Sequence, residues 1–262
     1  MRFYREVNLM NNVGILAVDM KMMHDINHKG RAPKESVETM FNSISGSYDR
    51  LNLILSFGTD RRWRRRAIDL IGSHIRPVKI LDVATGTGDL AVAALRLDPE
   101  KITGIDISEK MLALGREKIA RLGHTGKIEL LKGDSEHIIY PDRSFDVVMS
   151  AFGVRNFEDT SAGLKEMYRV LRPGGMIMVL EFSRPAKFPM KQFYGFYFTR
   201  ILPWIGRKVS GDHGAYNYLT ESVMSFPDNE GFLDLLRRAE FISTAQKKMT
   251  GGIASIYYGF RQ

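Results

Sequence analysis

Three acidic side chains and a glycine turn carry the clearest chemical signal in the chain. Asp82 precedes "VATGTGDLA" (83–91), which reads as a strand end, a turn holding Gly86 and Gly88, and a helix start. Glycines at such a turn let a ligand approach the backbone where a Cβ would clash. The free N–H groups of the helix start attract an anionic group. Asp106 ends the next strand-like run, where a carboxylate suits ribose hydroxyls. The spacing of Gly86, Gly88 and Ala91 also fits a dinucleotide-binding turn, so the turn alone does not name its ligand.

Three details separate the alternatives. Asp82 beside the turn would repel a pyrophosphate and suits a ligand that carries an ammonium group. Asp134, in "KGDSE", follows the third strand-like run, where a carboxylate accepts from an adenine amino group. A long segment precedes the turn, whereas dinucleotide folds often begin with it. Acid, glycine turn, acid and acid on successive strand ends form the pattern of S-adenosylmethionine-dependent methyltransferases. The plain alternative is that Asp106 and Asp134 are only polar strand ends.

The elements that must position these residues show in the periodicity. Apolar strand-like runs occur at 79–84, 102–107, 127–132, 145–150 and 175–182, with helical stretches at 89–97, 108–122 and 160–171 between them. Such alternation predicts a parallel sheet with helices on both faces. Gly174 and Gly175 are expected to stop the third of these helices before the fifth strand. A helix at 228–239 and two strand-like runs, ending in "IASIYYGF" (253–260), are expected to add an antiparallel C-terminal edge and complete seven strands.

Upstream, helical spacing begins near Lys34, is interrupted at Gly46 and resumes over "YDRLNLILSFG" to a stop at Gly58. A second helix runs from Asp60 to about Ile71, where Trp63, Ala67, Leu70 and Ile71 form one apolar stripe. The arginines of "DRRWRRR" (60–66) are assigned to the other faces. The organisation expected is a loosely ordered leader over 1–31, with a later methionine as an alternative start, followed by one domain over 32–262. That domain divides into an N-terminal helical lid (32–76), a cofactor-binding core (77–182), a substrate cap (183–227) and a final helix with a strand pair (228–262).

Composition narrows the function classes. The chain has 262 residues, a net charge of +8 and no cysteine, which rules out disulfides, thiolate catalysis and cysteine-bound metals. No apolar run reaches the ~18 residues needed to span a bilayer. The expected location is cytoplasmic, with peripheral membrane contact. The basic balance favours anionic partners. No nucleic-acid-binding module or motif stands out, so no nucleic-acid partner is expected. Oligomeric state stays open.

Four stretches outside the core point to one family. "YDRLNLILSFGTDRRW" (48–63), "AFGVRNFED" (151–159), "RVLRPGGMIMVLEFS" (169–183) and "YLTESVMSFP" (218–227) resemble the quinone-biosynthesis C-methyltransferases. The resemblance covers about 35–262. It implies a class I Rossmann-like methyltransferase that moves a methyl group from S-adenosylmethionine to a ring carbon of demethylmenaquinol or of a 2-polyprenyl-6-methoxy-1,4-benzoquinol. The closing "TGGIASIYYGFR" favours the menaquinone branch. Carried over residue by residue, the cofactor positions are Thr87, Asp106 and the Asp134-Ser135 pair, beside Asp82, Gly86 and Gly88. The sequence departs from the family where Leu51 replaces Met, Asp60 replaces His and Ala151 replaces Ser or Gly.

The chemistry implied needs an electron-rich ring. A quinol hydroxyl has a pKa near ~10, so the site must favour the phenolate or supply a base. Arg155, after the fourth strand, is expected to stabilise the phenolate and Asn156 to orient it; the alternative is that Arg155 pairs with a neighbouring acid and holds the loop. His213 is the candidate proton acceptor. Tyr48 and Asp49 are placed in the lid near the substrate, and Tyr216 and Tyr218 against a quinol hydroxyl, or else in packing and capping roles. No metal is implicated. The aromatic and basic stretch 188–208 reads as a greasy cap that touches anionic lipid, or as an ordinary subdomain core. Other functions kept open are methylation of RNA or another small molecule, and a non-catalytic cofactor-binding scaffold of a quinone-synthesis complex.

Overall fold

The structure, a computed structural model, describes residues 33–45, 56, 58–196 and 213–262. Its centre is a seven-stranded sheet: β1 (Lys79–Val83), β2 (Lys101–Asp106), β3 (Ile128–Lys132), β4 (Phe145–Ala151), β5 (Leu171–Phe182), β6 (Ile242–Met249) and β7 (Ala254–Phe260). The spatial order is β3-β2-β1-β4-β5-β7-β6. Neighbours from β3 to β5 run parallel, and β7 runs antiparallel to both β5 and β6. The reversed strand therefore lies inside the sheet and β6 forms the edge.

The helices are α1 (Lys34–Ile44), α2 (Asp60–His74), α3 (Asp89–Ala94), α4 (Glu109–Arg121), α5 (Thr160–Val170), α6 (Met190–Phe196), α7 (His213–Ser225) and α8 (Glu230–Arg238). Their starts follow local chemistry. Ser108 caps α4 by accepting from Met111 N, and Asp159 caps α5 by accepting from Ser161 N and Ala162 N. Lys118 and Arg121 sit in the last turn of α4, where cations suit the helix dipole.

Alternation along the strands sends side chains to two cores. Ile80, Val147 and Met149 pack on one face with Trp63, Ile68, Ile71, Leu90 and Leu112. Leu81, Val83 and Val148 pack on the other with Leu164, Met167, Phe232 and Leu236. Asp82 shares the parity of Ile80, so it points toward the α2 side of the sheet. Trp63 is the anchor there: it meets the Phe182 ring edge-on at 6.2 Å and donates from Nε1 to Thr250 Oγ1 at 2.8 Å.

Two sequence expectations need correction. The third core helix ends at Val170, and Gly174 and Gly175 fall inside β5. They do not stop the helix; they form an irregular start to the strand, where the β4 register jumps from Phe145↔Leu171 to Val147↔Met176. A Cβ at Gly175 would stand 2.8 Å from Arg172 O, which is why glycine serves there. Nor do all five arginines around Trp63 face solvent, because Arg64 is buried.

Strand order reverses between β2 and β4 on either side of β1. In open parallel sheets this reversal opens a crevice beyond the carboxyl ends of the strands, which is where ligands bind. Asp82, Asp106 and the "FGVRN" turn all lie at those ends.

Candidate active site

The chain turns sharply after β1. Ala84, Gly86 and Gly88 have φ of 56°, 55° and 79°, a left-handed conformation that glycine adopts freely and alanine does not. Asp106, at the end of β2, holds this turn from the side: Oδ2 accepts from Gly86 N at 2.8 Å and Oδ1 from Ser108 N at 2.9 Å. Burial pushes the Asp106 carboxyl above its usual range, against those N–H donors.

Beside the turn lies a cleft of about 650 Å³. Gly86, Asp106, Asp134, Ser135 and Asn156 line it, so the structure gathers five predicted residues into one space. Gly88 and Thr87 lie behind it. Gly88 is the N-cap of α3, and a Cβ there would meet the Ile119 and Leu130 side chains at 3.4 Å. Its place is thus between the turn and α4. Thr87 Oγ1 accepts from Lys118 Nζ at 2.9 Å.

The sequence places a helical lid over 32–76 but does not single out the residues of α1 that line the cleft. Val37 and Phe41 of α1 cover it, and Lys34 reaches in to pair with Asp134 at 2.8 Å and Glu136 at 3.0 Å. Working against partial burial, the Lys34 ammonium holds the Asp134 carboxyl below its ordinary range. Glu38 pairs with Lys132 at 2.8 Å, and Asn42 Oδ1 accepts from Ser108 Oγ at 2.8 Å. Lys34, Glu38 and Asn42 repeat every fourth residue, a helical stripe that fastens α1 to the ends of β2 and β3. That spacing is visible in the sequence; its partners are not.

The far wall is the turn after β4. Phe152 has φ of 60°, and a short 3-10 helix, Val154–Asn156, follows. Arg155 does not line the cleft. Its guanidinium is buried against Glu181, with Nη1 to Oε2 at 3.2 Å, donates to Phe152 O, and lies 5.6 Å from the Phe182 ring centre. Burial pushes the Glu181 carboxyl up, and Arg155 opposes it. Between the two roles expected for Arg155, the contacts are those of a loop-holding ion pair. Asn156 faces the cleft and accepts from Tyr218 OH at 3.1 Å, which joins this turn to α7. Tyr48 and Asp49 lie outside the described residues, as do the side chains of His213 and Tyr216. Among the described residues no group of His, Asp and Glu gathers as a metal site.

Asp82 lies behind the turn. It is fully buried; Oδ2 accepts from Thr85 Oγ1 at 2.6 Å, and Oδ1 has no hydrogen-bond partner. Burial, with Asp106 adding repulsion and Thr85 and Arg64 opposing, pushes its pKa up to about 7. The folded protein therefore keeps a proton that the unfolded chain releases near pH ~4. Stability should be level below that pH, fall as pH rises through ~4 to ~7, and be level again above. Each unit is worth ~1.36 kcal/mol, so the fall is a few kcal/mol in order of magnitude. Asp82→Asn should flatten this part of the curve in urea melts from pH 4 to 8; a variant with the wild-type slope would show that Asp82 is not responsible.

A carboxylate with an unused oxygen, a carboxylate that anchors the glycine turn and a third acid across a roofed cleft suit a nucleoside that carries an ammonium group. The model of the ubiE/COQ5 methyltransferase family matches residues 29–261. The chain belongs to that family.

Relatives bear this out along their length. Demethylmenaquinone methyltransferase of Bacteroides fragilis is 43% identical, covering 85% of this chain and 91% of its own. The ubiquinone/menaquinone biosynthesis C-methyltransferase UbiE of Geobacter sulfurreducens is 46% identical, covering 90% of this chain and 91% of its own. Among solved structures, a SAM-dependent methyltransferase of Thermotoga maritima superposes with a TM-score of 0.60 at 20% identity, covering 86% of this chain and 99% of that one. The [4+2]-cyclase SpnF reaches 0.57 at 16% identity, covering 88% and 97%. These two likenesses speak for the Rossmann-like fold alone, since they span different chemistries. Asp106, Asp134 and Ser135 line the cleft, and Asp82 lies behind the glycine turn with one oxygen unpartnered; this set of acceptors fits S-adenosylmethionine, the methyl donor of SAM-dependent methyltransferases.

Proposed function

We propose that the protein transfers a methyl group from S-adenosylmethionine to a ring carbon of demethylmenaquinol, giving menaquinol. The observation that carries this reading is the full-length similarity to a demethylmenaquinone methyltransferase, joined to a cleft whose acids fit the cofactor. The relative named for both quinones, at 46% identity, supports a second reading: C-methylation of a 2-polyprenyl-6-methoxy-1,4-benzoquinol.

When bound, S-adenosylmethionine supplies an electrophilic methyl group. The chain does the rest. Asp106 and the glycine turn fix the position of the nucleoside, and Val37 and Phe41 exclude water above it. Holding carbon and methyl ~3–3.5 Å apart removes much of the entropic barrier. Asn156, held by Tyr218, orients the quinol oxygen, with Tyr216 two residues earlier on the same helix. Arg155, paired with Glu181 and donating to Phe152 O, holds the turn that carries Asn156. His213, which opens α7, takes the hydroxyl proton in this reading.

The substrate's polyprenyl tail requires access to lipid. Phe188 and Phe196 are 81% and 58% exposed at the start of the cap, and Lys187 and Lys191 beside them are exposed as well. Apolar rings flanked by cations suit an anionic bilayer surface. Among the described residues no helix is long and apolar enough to cross a membrane. The test is transfer of labelled methyl to reduced demethylmenaquinone, to the benzoquinol or to RNA, with the quinols in vesicles containing anionic lipid. Label in menaquinol is the expected result. Label in RNA alone, or in nothing while cofactor binds, would overturn the proposal, and Phe188→Ser with unchanged vesicle binding would remove the cap from membrane docking.

A further inference from the structure

Four of the five arginines around Trp63 are exposed, and Arg64 is not. Burying a guanidinium costs several kcal/mol unless it is paired, so its position needs a reason. Arg64 Nη1 pairs with Asp60 Oδ2 at 2.5 Å and lies 3.4 Å from Asp89 Oδ2. Its guanidinium carbon stands 5.8 Å from the centre of the Phe152 ring, a wall of the main cleft. Asp60 is itself buried and also accepts from Ser56 Oγ at 3.1 Å, which leaves it little freedom.

Arg64 opens onto a second cavity of about 310 Å³ behind the glycine turn, with Asp82, Thr85, Thr87, Asp89 and Ala151 around it. Ala84 lines this cavity and the main cleft, so the two adjoin. Its walls carry the Arg64 guanidinium, the Asp89 carboxylate, which Lys118 also pairs at 2.7 Å, and the fully buried Asp82 carboxylate, whose Oδ1 lacks a partner. Opposite charges facing one small space match a zwitterion with its ammonium and carboxylate on the same carbon. An arginine fork binds a carboxylate through two parallel hydrogen bonds, which fixes orientation as well as charge.

We propose that Arg64 binds the α-carboxylate of S-adenosylmethionine in this second cavity, opposite Asp82 at the α-ammonium, and that Asp60 is the positioning residue for the guanidinium. The Asp60 carboxylate keeps the arginine extended toward the cavity by an i,i+4 pair on α2. The inference rests on the cofactor assignment above and adds to it the residue that recognises the amino-acid end.

The test compares S-adenosylmethionine with its decarboxylated form, which keeps the adenosine, the sulfonium and the amine. In calorimetry the wild-type protein should prefer the carboxylated ligand by ~10- to 100-fold, the span of one charge-assisted hydrogen-bonded pair. Arg64→Gln should reduce that preference to within about threefold by weakening only the carboxylated ligand, Arg64→Lys should retain part of it, and Asp60→Asn should lower it to an intermediate value. Because each variant is scored by the ratio of two ligands, a general loss of stability leaves the score unchanged. Wild-type protein with no preference, or a folded Arg64→Gln that keeps it, overturns the proposal. Wild-type protein that binds neither ligand would instead sink the cofactor assignment.

Discussion

Asp106→Ala is expected to weaken S-adenosylmethionine binding by roughly 100-fold, the cost of losing hydrogen bonds to a charged group. The size of the effect comes from two duties meeting on one side chain. Asp106 accepts from Gly86 N and Ser108 N, so it holds the left-handed glycine turn and the start of α4, and it lines the cleft in which the proposed function places the ribose hydroxyls. Removing it withdraws the acceptor and loosens the turn together. Asp106→Asn should fall between, because the amide oxygen still accepts one N–H. Calorimetric titration with S-adenosylhomocysteine, on variants checked for folding by circular dichroism, reads both. A loss below about threefold in Asp106→Ala would mean that the ribose is held elsewhere.

Arg155→Ala is expected to lower stability by about 3–5 kcal/mol, since it strands Glu181 as an unpaired buried charge. For a chain of this size each kcal/mol moves the melting temperature by roughly 2–4 °C, so the shift should be plain in a thermal melt. Activity alone would not tell a holding role from a catalytic one. The double replacement Arg155→Met with Glu181→Leu removes the charges together, and such swaps are often neutral or stabilising. If the double variant melts near wild type and stays inactive, Arg155 acts on the quinol. If turnover returns with stability, Arg155 only positions the turn that carries Asn156.

Local signals made much of this molecule legible in its sequence. Apolar periodicity placed five parallel strands and the helices between them, because burial on a sheet face or a helix stripe is written at short range. The glycine turn and the acids at successive strand ends were legible because one strand-turn-helix unit sets their geometry. Gly86, Asp106, Asp134, Ser135 and Asn156 meet in the cleft for that reason. Family resemblance added a chemistry that no periodicity carries.

Partnership across the fold was decided only by the tertiary structure. Arg64 shares its face of α2 with Ala67, Ile68 and Ile71, so the helical period turns it inward while Arg61, Arg62, Arg65 and Arg66 stay in water; that it meets Asp60, Asp89 and the cavity beside Asp82 is not written there. Arg155 and Glu181 are 26 residues apart, and Lys34 and Asp134 are 100 apart. Their pairing depends on β5 lying beside β4 and on α1 crossing the ends of β2 and β3. Likewise the expected antiparallel C-terminal pair is present, but which of its strands lies inside was set by packing: β7 inserts between β5 and β6, where its side chains are buried on both faces. Residue type and short spacing determined which chemistry the chain carries. Which charge is buried, and against which partner, was settled by packing, because the cost of desolvating an ion is met by whatever opposite charge the fold brings within reach.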